Sequence, residues 1–132
     1  MAVSKDKLIY PELSYKITGI LFAVHNELER FRNEKQYGDK VEHYLKEFQI
    51  SYEREKILPI SFSGEHEGRN KVDFLVNDAI ILEIKAKRIL TREDYYQMKR
   101  YLVALNKKLG ILVNFQQRYL APKRILNSSA QA

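Results

Sequence analysis

The chain has 132 residues, of which 45% are hydrophobic and 30% are charged, a composition typical of one soluble globular domain. The absence of cysteine excludes disulfide bonds and thiolate metal sites, and it suits the reducing cytoplasm in which we expect the protein to work. The longest purely apolar run, residues 79–82, is far shorter than the ~20 residues of a membrane-spanning helix, so no membrane partner is expected. The net charge of +6 favours polyanionic partners such as nucleic acids.

The first part of the chain predicts two amphipathic helices. Residues 1–10 form a charged lead-in that we expect to be flexible, and Pro11 then stands at a favoured first helical position. Apolar residues follow at helical spacing in two stretches, which are Leu13, Ile17, Ile20, Leu21, Val24, Leu28 and Phe31, and then Tyr37, Val41, Tyr44, Leu45 and Phe48. The polar break between Arg30 and Glu34 is compatible with either a turn or a kink.

After residue 49 the pattern changes to that of β-strands. Residues 51–62 are rich in β-branched and aromatic side chains, and a polar loop at residues 65–70 follows. Two further strands, at 71–76 and 79–86, are separated by Asn77-Asp78, which is typical of a hairpin turn. Strands are also predicted at 109–115 and 122–126.

One more helix separates the hairpin from the last strands. Thr91, with Asp94 three residues later, is a variant of the capping box, and helical spacing continues to about Asn106. The inward positions of this helix are Tyr95, Met98, Leu102 and Leu105. Residues 127–132 are small and polar, so we expect a flexible tail. No linker divides the chain, and the order of elements predicts a single α/β (α+β) domain with a mixed sheet flanked by helices.

The predicted hairpin contains the residues that carry chemistry. Asp73 stands on its first strand and Glu83-Ile84-Lys85 on its second, inside otherwise apolar segments. Burying an unpaired carboxylate costs several kcal/mol, so these acidic side chains need a partner.

The alternation of side chains favours a hairpin loop with an odd number of residues, three or five. Asp73 then faces Glu83, and one face of the hairpin is wholly apolar, with Val72, Phe74, Val76, Ile80, Leu82 and Ile84. The other face carries Asp73, Leu75, Ile81, Glu83 and Lys85. A two-residue turn would mix polar and apolar side chains on one face, because a slip of one residue reverses every side chain. Two facing carboxylates repel each other unless they share a cation, and Mg²⁺ suits such oxygen ligands.

Further motifs surround this hairpin. Phe31-x-x-Glu34-x-x-Tyr37 precedes it, and Gln97-x-x-x-Tyr101 and Asn114-Phe115 follow it. Together with Asp73, Glu83-x-Lys85 and residues 13–19 and 25–28, they resemble the GxxExxY family of the PD-(D/E)XK nuclease superfamily, although Phe31 stands where that family has glycine. The resemblance runs from about residue 13 to residue 126 and implies a restriction-endonuclease-like core.

The resemblance implies a nuclease, which we expect to hydrolyse phosphodiester bonds in DNA or RNA with Mg²⁺ or Mn²⁺. The resemblance implies that Glu34, Asp73, Glu83 and the Ile84 carbonyl bind the metal. It also implies that Lys85 orients or activates the attacking water and that Gln97 lines the site. A divalent cation suits this chemistry, because it activates water and offsets the charge that develops on the phosphate.

Basic side chains near the hairpin predict a surface for nucleic acid, made of Lys87, Arg88, Arg92, Lys99 and Arg100. DNA is favoured over RNA, and a homodimer would let so small a domain cover two strands. His25, His43 and His66 lack metal-ligand spacing. Two alternatives remain open, a non-catalytic nucleic-acid-binding module on the same fold and a structural or interaction protein whose basic charge is incidental.

Overall fold

The computed structural model describes residues 9–130, which form three α-helices and five β-strands. In chain order these elements are α1 (Pro11–Leu28), α2 (Glu34–Glu47), β1 (Tyr52–Ile57), β2 (Lys71–Val76), β3 (Ile80–Lys85), α3 (Arg92–Leu105), β4 (Leu109–Asn114) and β5 (Lys123–Leu126). Most of the predicted lead-in, residues 1–8, and the last two residues of the predicted tail lie outside the described residues.

The five strands form one mixed sheet in the order β1-β2-β3-β4-β5. β3 and β4 run parallel, and every other neighbouring pair is antiparallel. The crossover from β3 to β4 passes through α3, which packs on one face of the sheet, whereas α1 and α2 pack on the other. This is the predicted α+β architecture, a mixed sheet flanked by helices.

Two hydrophobic cores follow from the alternation of side chains along the central strands. In β3, Ile80, Leu82 and Ile84 pack with α1 and α2, whereas Ile81 packs with Met98 of α3. β4 is buried along its whole length, because helices cover both faces of the sheet at this point. Residues 109–113 of this strand are therefore continuously apolar instead of alternating.

The break between α1 and α2 is a turn. α1 ends at Leu28, and Phe31, which helical spacing predicted to lie inward, is 81% exposed. A capping box begins α2, because the Asn33 side chain accepts a hydrogen bond from the Gln36 N–H (2.9 Å) and Gln36 Oε1 accepts one from the Asn33 N–H (3.0 Å). Glu34 is consequently the first residue of α2.

Two further predictions about the elements are wrong. Phe48, expected to lie inward on the second helix, is exposed just beyond its end. The strand predicted at residues 51–62 ends at Ile57, two residues before Pro59, which has no backbone N–H for a sheet hydrogen bond.

The chain beyond β5 makes defined contacts as far as it is described. The Asn127 N–H donates to the Lys108 carbonyl (2.9 Å), and the Asn127 side chain donates to the Lys107 carbonyl (3.1 Å). Among residues 9–130, no helix is long and apolar enough to cross a membrane.

Candidate functional site

The loop that joins β2 to β3 has three residues, which confirms the predicted odd number. Pairing runs from Val76 opposite Ile80 to Phe74 opposite Leu82. Asn77 and Asp78 in the loop both have a φ of 53°, in the left-handed region that these two residue types tolerate. In this register the next pair of opposing residues is Asp73 and Glu83.

At this step the side chains of Asp73 and Glu83 accept hydrogen bonds from the facing strands. The Ile84 N–H donates to Asp73 Oδ2 (2.7 Å), and the Asp73 N–H donates to Glu83 Oε1 (3.2 Å). The two carboxyl groups therefore converge from adjacent strands, as the register predicts.

One side chain of the hairpin lies on the face opposite to the one predicted. Val72 packs with Ile81 on the α3 side of the sheet, whereas Phe74 packs on the α1 and α2 side. The alternation is interrupted between them, at Asp73. Glu55, across from Asp73 in β1, has a φ of 54°, and the pairing of β1 with β2 is recorded on either side of this position. Such backbone irregularities disturb the period of two and are common beside functional sites.

The Glu83 carboxyl group is strongly perturbed. Its side chain is buried in the sheet, and the residue is only 4% exposed. Burial, followed by the charge of Asp73 and the hydrogen bond with it, raises the pKa of Glu83 to about 9, while Lys85 acts in the opposite direction. Glu83 therefore keeps a proton at neutral pH, which relieves the repulsion that its position opposite Asp73 would otherwise cause.

Glu34 approaches the hairpin from the α2 side. Its Oε2 accepts a hydrogen bond from the Ala86 N–H (3.2 Å), just beyond β3. Glu34, Asp73 and Ile84 border one cleft of about 380 Å³, whose other lining residues are Lys35, Gly38, Arg54, Glu55 and Phe74. Three of the four predicted metal ligands thus border one cleft, and the fourth, Glu83, is hydrogen-bonded to Asp73.

Carboxylate oxygens are the donors that a hard divalent cation prefers, so the residue types at this cleft fit such a metal. Within residues 9–130, however, no group of three or more His, Asp or Glu side chains is already arranged to hold an ion. The candidate oxygens instead accept hydrogen bonds from the N–H groups of Asp73, Ile84 and Ala86. Metal binding would have to displace these bonds and the Glu83 proton.

Lys85 and Gln97 meet on the α3 side of the sheet. The Lys85 ammonium group donates to Gln97 Oε1 (3.1 Å) and lies 4.0 Å from Asp94 Oδ1. The structure thus brings Lys85 next to Gln97, whereas Glu34 stands on the opposite side of the strand.

A family model for the PD-(D/E)XK nuclease superfamily matches residues 11–125. The chain belongs to the PD-(D/E)XK nuclease superfamily. Its sheet and flanking helices are the restriction-endonuclease-like fold of that superfamily, whose members typically depend on divalent metals and act on nucleic acids.

A solved structure, described as the crystal structure of SSO0001, resembles this fold with a TM-score of 0.51 and 21% sequence identity. The match covers 89% of this chain and 57% of the other, so this PD-(D/E)XK domain spans little more than half of that chain. At this identity the likeness concerns the fold alone. No curated protein is similar enough to count as a relative.

Asp94, which the sequence indicated only as a helix cap, lies beside Lys85 and Lys87. Its buried carboxylate accepts hydrogen bonds from the Thr91 N–H (2.7 Å) and from the Lys87 ammonium group (3.0 Å). Desolvation opposes ionisation, but the bonds from Thr91 and Lys87 prevail and lower the pKa of Asp94. Lys87, predicted to bind nucleic acid, is therefore part of an ion pair.

The other predicted nucleic-acid residues, Arg88, Arg92, Lys99 and Arg100, are exposed. Arg92 and Lys99 are seven residues apart on α3, and the exposed Tyr96 lies between them on the same helical face. This face of α3 is open to solvent.

Asn114 is another residue whose role was not predicted, although it belongs to the motif Asn114-Phe115. It is completely buried at the end of β4, where its side chain accepts from the Lys87 N–H (3.0 Å) and donates to the Lys87 carbonyl (2.8 Å). The Phe115 N–H donates to the Lys85 carbonyl (2.8 Å). The end of β4 therefore fixes the segment that leaves β3 and carries the N–H bonded to Glu34.

Arg54 lines the cleft without having been predicted. Its guanidinium donates to Asp39 (2.7 Å) and Glu42 (3.0 Å) of α2. It also lies so close to Gly38 that a Cβ there would be 2.6 Å from Arg54 Nη2. Alternation along β1, which turns Arg54 inward with Tyr52, was the available signal in the sequence.

Proposed function

We propose that the chain is a metal-dependent nuclease of the GxxExxY family, which hydrolyses phosphodiester bonds in DNA or RNA. The observation that carries this proposal is the convergence of the Asp73 and Glu83 side chains from facing strands. Two carboxyl groups kept this close favour a shared divalent cation, because ionisation of both is unfavourable without one. Membership of the nuclease superfamily supplies the chemical context.

Asp73, Glu83, Glu34 and the Ile84 carbonyl are the proposed ligands for Mg²⁺ or Mn²⁺. When bound, the cation supplies a water of lowered pKa and stabilises charge on the phosphate. Lys85 orients the attacking water and offsets the charge that develops on the phosphate oxygens. Gln97, which accepts a hydrogen bond from Lys85, holds the ammonium group in position.

Nucleic acid is proposed to contact the basic residues Arg88, Arg92, Lys99 and Arg100, with Lys87 beside them in its ion pair with Asp94. DNA is the favoured substrate, and a homodimer would allow this small domain to reach both strands of a duplex. The affinity should fall with salt by a log–log slope of about −0.7 to −0.9 for each phosphate contacted.

The test is a panel of labelled DNA and RNA substrates, including branched junctions, incubated with Mg²⁺, Mn²⁺ or EDTA. Asp73→Asn and Glu83→Gln should each abolish metal-dependent cleavage, and Lys85→Ala should lose rate while keeping much of the metal affinity. Glu53→Gln, at an exposed position of β1, is the matched control and should cleave like the wild type. If the wild-type protein cleaves no substrate with either metal, the proposed activity is refuted.

A non-catalytic nucleic-acid-binding module on the same fold is the second candidate. It is favoured by the backbone N–H groups that already occupy the carboxylate oxygens around the cleft. Such a module would bind nucleic acid with the same salt dependence and cleave nothing. Reversing the charge at Lys87, Arg88 and Lys99 should reduce the salt slope, and binding that ignores salt would exclude an electrostatic interface.

A further inference from the structure

Two exposed aromatic side chains, each beside an arginine, stand on two different loops. Phe31 is 81% exposed, and the guanidinium carbon of Arg30 lies 5.5 Å from the centre of its ring. Tyr119 is 76% exposed, and the guanidinium carbon of Arg118 lies 5.3 Å from its ring centre. Neither ring contributes to a hydrophobic core, although each is large enough to do so.

Both loops are anchored to one buried pair of rings. Tyr37 of α2 and Phe115 stack with their centroids 4.4 Å apart and their planes 7° from parallel. The Tyr37 hydroxyl donates to the Glu29 carbonyl (2.6 Å) and accepts from the Arg32 N–H (3.3 Å), which fixes the backbone on either side of Phe31. Each of these partners lies within two residues of Phe31.

The second loop is held in a similar way. It follows directly from the buried Phe115, and its Gln117 carbonyl is 2.8 Å from Nε2 of His25, in the last turn of α1. The loop that carries Tyr119 is therefore attached to β4 through the chain and to α1 through the contact between Gln117 and His25.

These loops flank the candidate site. β3 and β4 are parallel, with Lys85 opposite Asn114, so both strands end at the same edge of the sheet. The loop with Tyr119 leaves β4 at this edge. The loop with Phe31 leads into Glu34, whose carboxylate is bonded to the Ala86 N–H at the end of β3.

We propose that Phe31 and Tyr119 form a stacking platform for unpaired bases, so that the substrate is single-stranded nucleic acid or the unpaired part of a branched one. This inference rests on the proposed nuclease function and names its substrate class. Exposed rings with adjacent cationic groups are the arrangement that binds single strands without sequence preference, because every base can stack on a ring. In a paired duplex the base faces are already stacked on one another, so a duplex cannot use the platform.

The charge at the loops agrees with a nucleic-acid strand as the occupant. Three arginines, Arg30, Arg32 and Arg118, are sequence neighbours of the two rings. Within two residues of either ring along the sequence, the one acidic residue is Glu29. Arginine contributes to such sites both by contact with phosphate and by cation–π interaction. Phe31 stands where the GxxExxY pattern has glycine, so the pattern itself does not supply this aromatic ring.

The experiment measures binding in EDTA, where no metal-dependent cleavage occurs. The probes are a single-stranded oligonucleotide containing 2-aminopurine, its fully paired duplex, and the same two probes made of RNA. The wild-type protein should bind the single strand more tightly than the duplex and should change the 2-aminopurine fluorescence through stacking. The DNA and RNA arms show which sugar is preferred, and a single-strand preference in either one supports the platform.

Phe31→Ala and Tyr119→Ala should each weaken single-strand binding by roughly 5- to 150-fold, the range expected for loss of one base–ring stack, while duplex binding changes little. Phe31→Trp should retain the affinity. Tyr15→Ala removes a ring that is equally exposed but lies near the opposite end of α1, and it should bind like the wild type. Thermal unfolding shows that each variant is folded.

Unchanged single-strand affinity in both alanine variants would overturn the platform, and so would a wild-type protein that prefers the duplex or binds neither probe. Loss of affinity in Tyr15→Ala as well would also overturn it, because the effect would then be general to exposed rings. A wild-type enzyme that cleaves duplex with Mg²⁺ but shows no single-strand preference would keep the proposed function and refute the platform. Single-strand binding that depends on Phe31, in a protein that cleaves no substrate, would support the platform and refute the proposed nuclease function.

Discussion

Replacing Glu83 by glutamine should stabilise the metal-free protein at alkaline pH. The glutamine oxygen can still accept the hydrogen bond from the Asp73 N–H, and its amide can donate to the Asp73 carboxylate. The substitution therefore keeps the size and the hydrogen bonding of the neutral acid. It removes the ionisation that burial and Asp73 make unfavourable.

The magnitude follows from the pKa of Glu83, which rises from 4.5 to about 9 on folding. Between these two values the native state holds a proton that the unfolded state has released. The free energy of unfolding therefore falls as pH rises, with the contribution of Glu83 complete below pH 4.5 and lost towards pH 9. At about 1.4 kcal/mol per pH unit, the loss at pH 8 is at most about 5 kcal/mol. Because protein interiors screen charge better than a dry medium, we expect about 1–3 kcal/mol.

The assay is thermal unfolding followed by circular dichroism in EDTA at pH 5 and pH 8. Glu83→Gln should raise the Tm at pH 8 by about 3–10 °C and have a much smaller effect at pH 5. Glu53→Gln, which changes an exposed carboxylate on β1, should shift neither value appreciably. A variant less stable than the wild type at pH 8, or one that gains equally at both pH values, would refute the reasoning.

Three further predictions concern metal, packing and the α3 cap. Mg²⁺ at 100 times its Kd should raise the free energy of unfolding of the wild type by about 2.7 kcal/mol, and that of Asp73→Asn by far less. Equal gains for the two proteins in a calorimetric scan would contradict the proposed ligands. Gly110→Ala should lower the free energy of unfolding, measured with denaturant, by about 1–3 kcal/mol, because the added Cβ would lie 2.4 Å from Met98 Sδ. Gly19→Ala, with no atom within 4 Å of its Cβ, should be neutral or stabilising by up to about 1 kcal/mol. Asp94→Asn should lower the free energy of unfolding by about 1–2 kcal/mol at neutral pH. Because the pKa of Asp94 is lowered in the folded protein, the difference from the wild type should shrink as pH falls through the acidic range, which a series of thermal melts would measure.

The register that sets Asp73 opposite Glu83 could be predicted from the alternation of side chains alone. The side-chain period of a strand is two, so the apolar residues of β2 and β3 could share a buried face only if the loop had an odd number of residues. The odd loop length, three or five residues, and the convergence of the two carboxyl groups follow from this local rule, and the structure has the loop of three. Helical spacing likewise determined α1, α2 and α3, since each must bury one apolar stripe.

Local rules failed where the backbone leaves regular geometry. Val72 lies on the α3 side because the alternation is interrupted at Asp73, opposite the positive φ of Glu55. Phe31 continues the helical spacing of α1, yet the capping box at Asn33 starts a new helix and leaves the ring in solvent. Periodicity cannot detect either change, because it assumes an unbroken strand or helix.

The distant residues that complete the site could not be predicted from local patterns, because tertiary packing brings them together. Asn114 bonds to Lys87 across 27 residues, Glu34 bonds to Ala86 across 52, and the stack of Tyr37 on Phe115 links the first helices to the last loop. A sequence pattern reports the backbone state of neighbouring residues, whereas these contacts depend on how the helices pack against the sheet. The charge state of Glu83 was decided in the same way, because burial is a property of the folded chain and not of the residue.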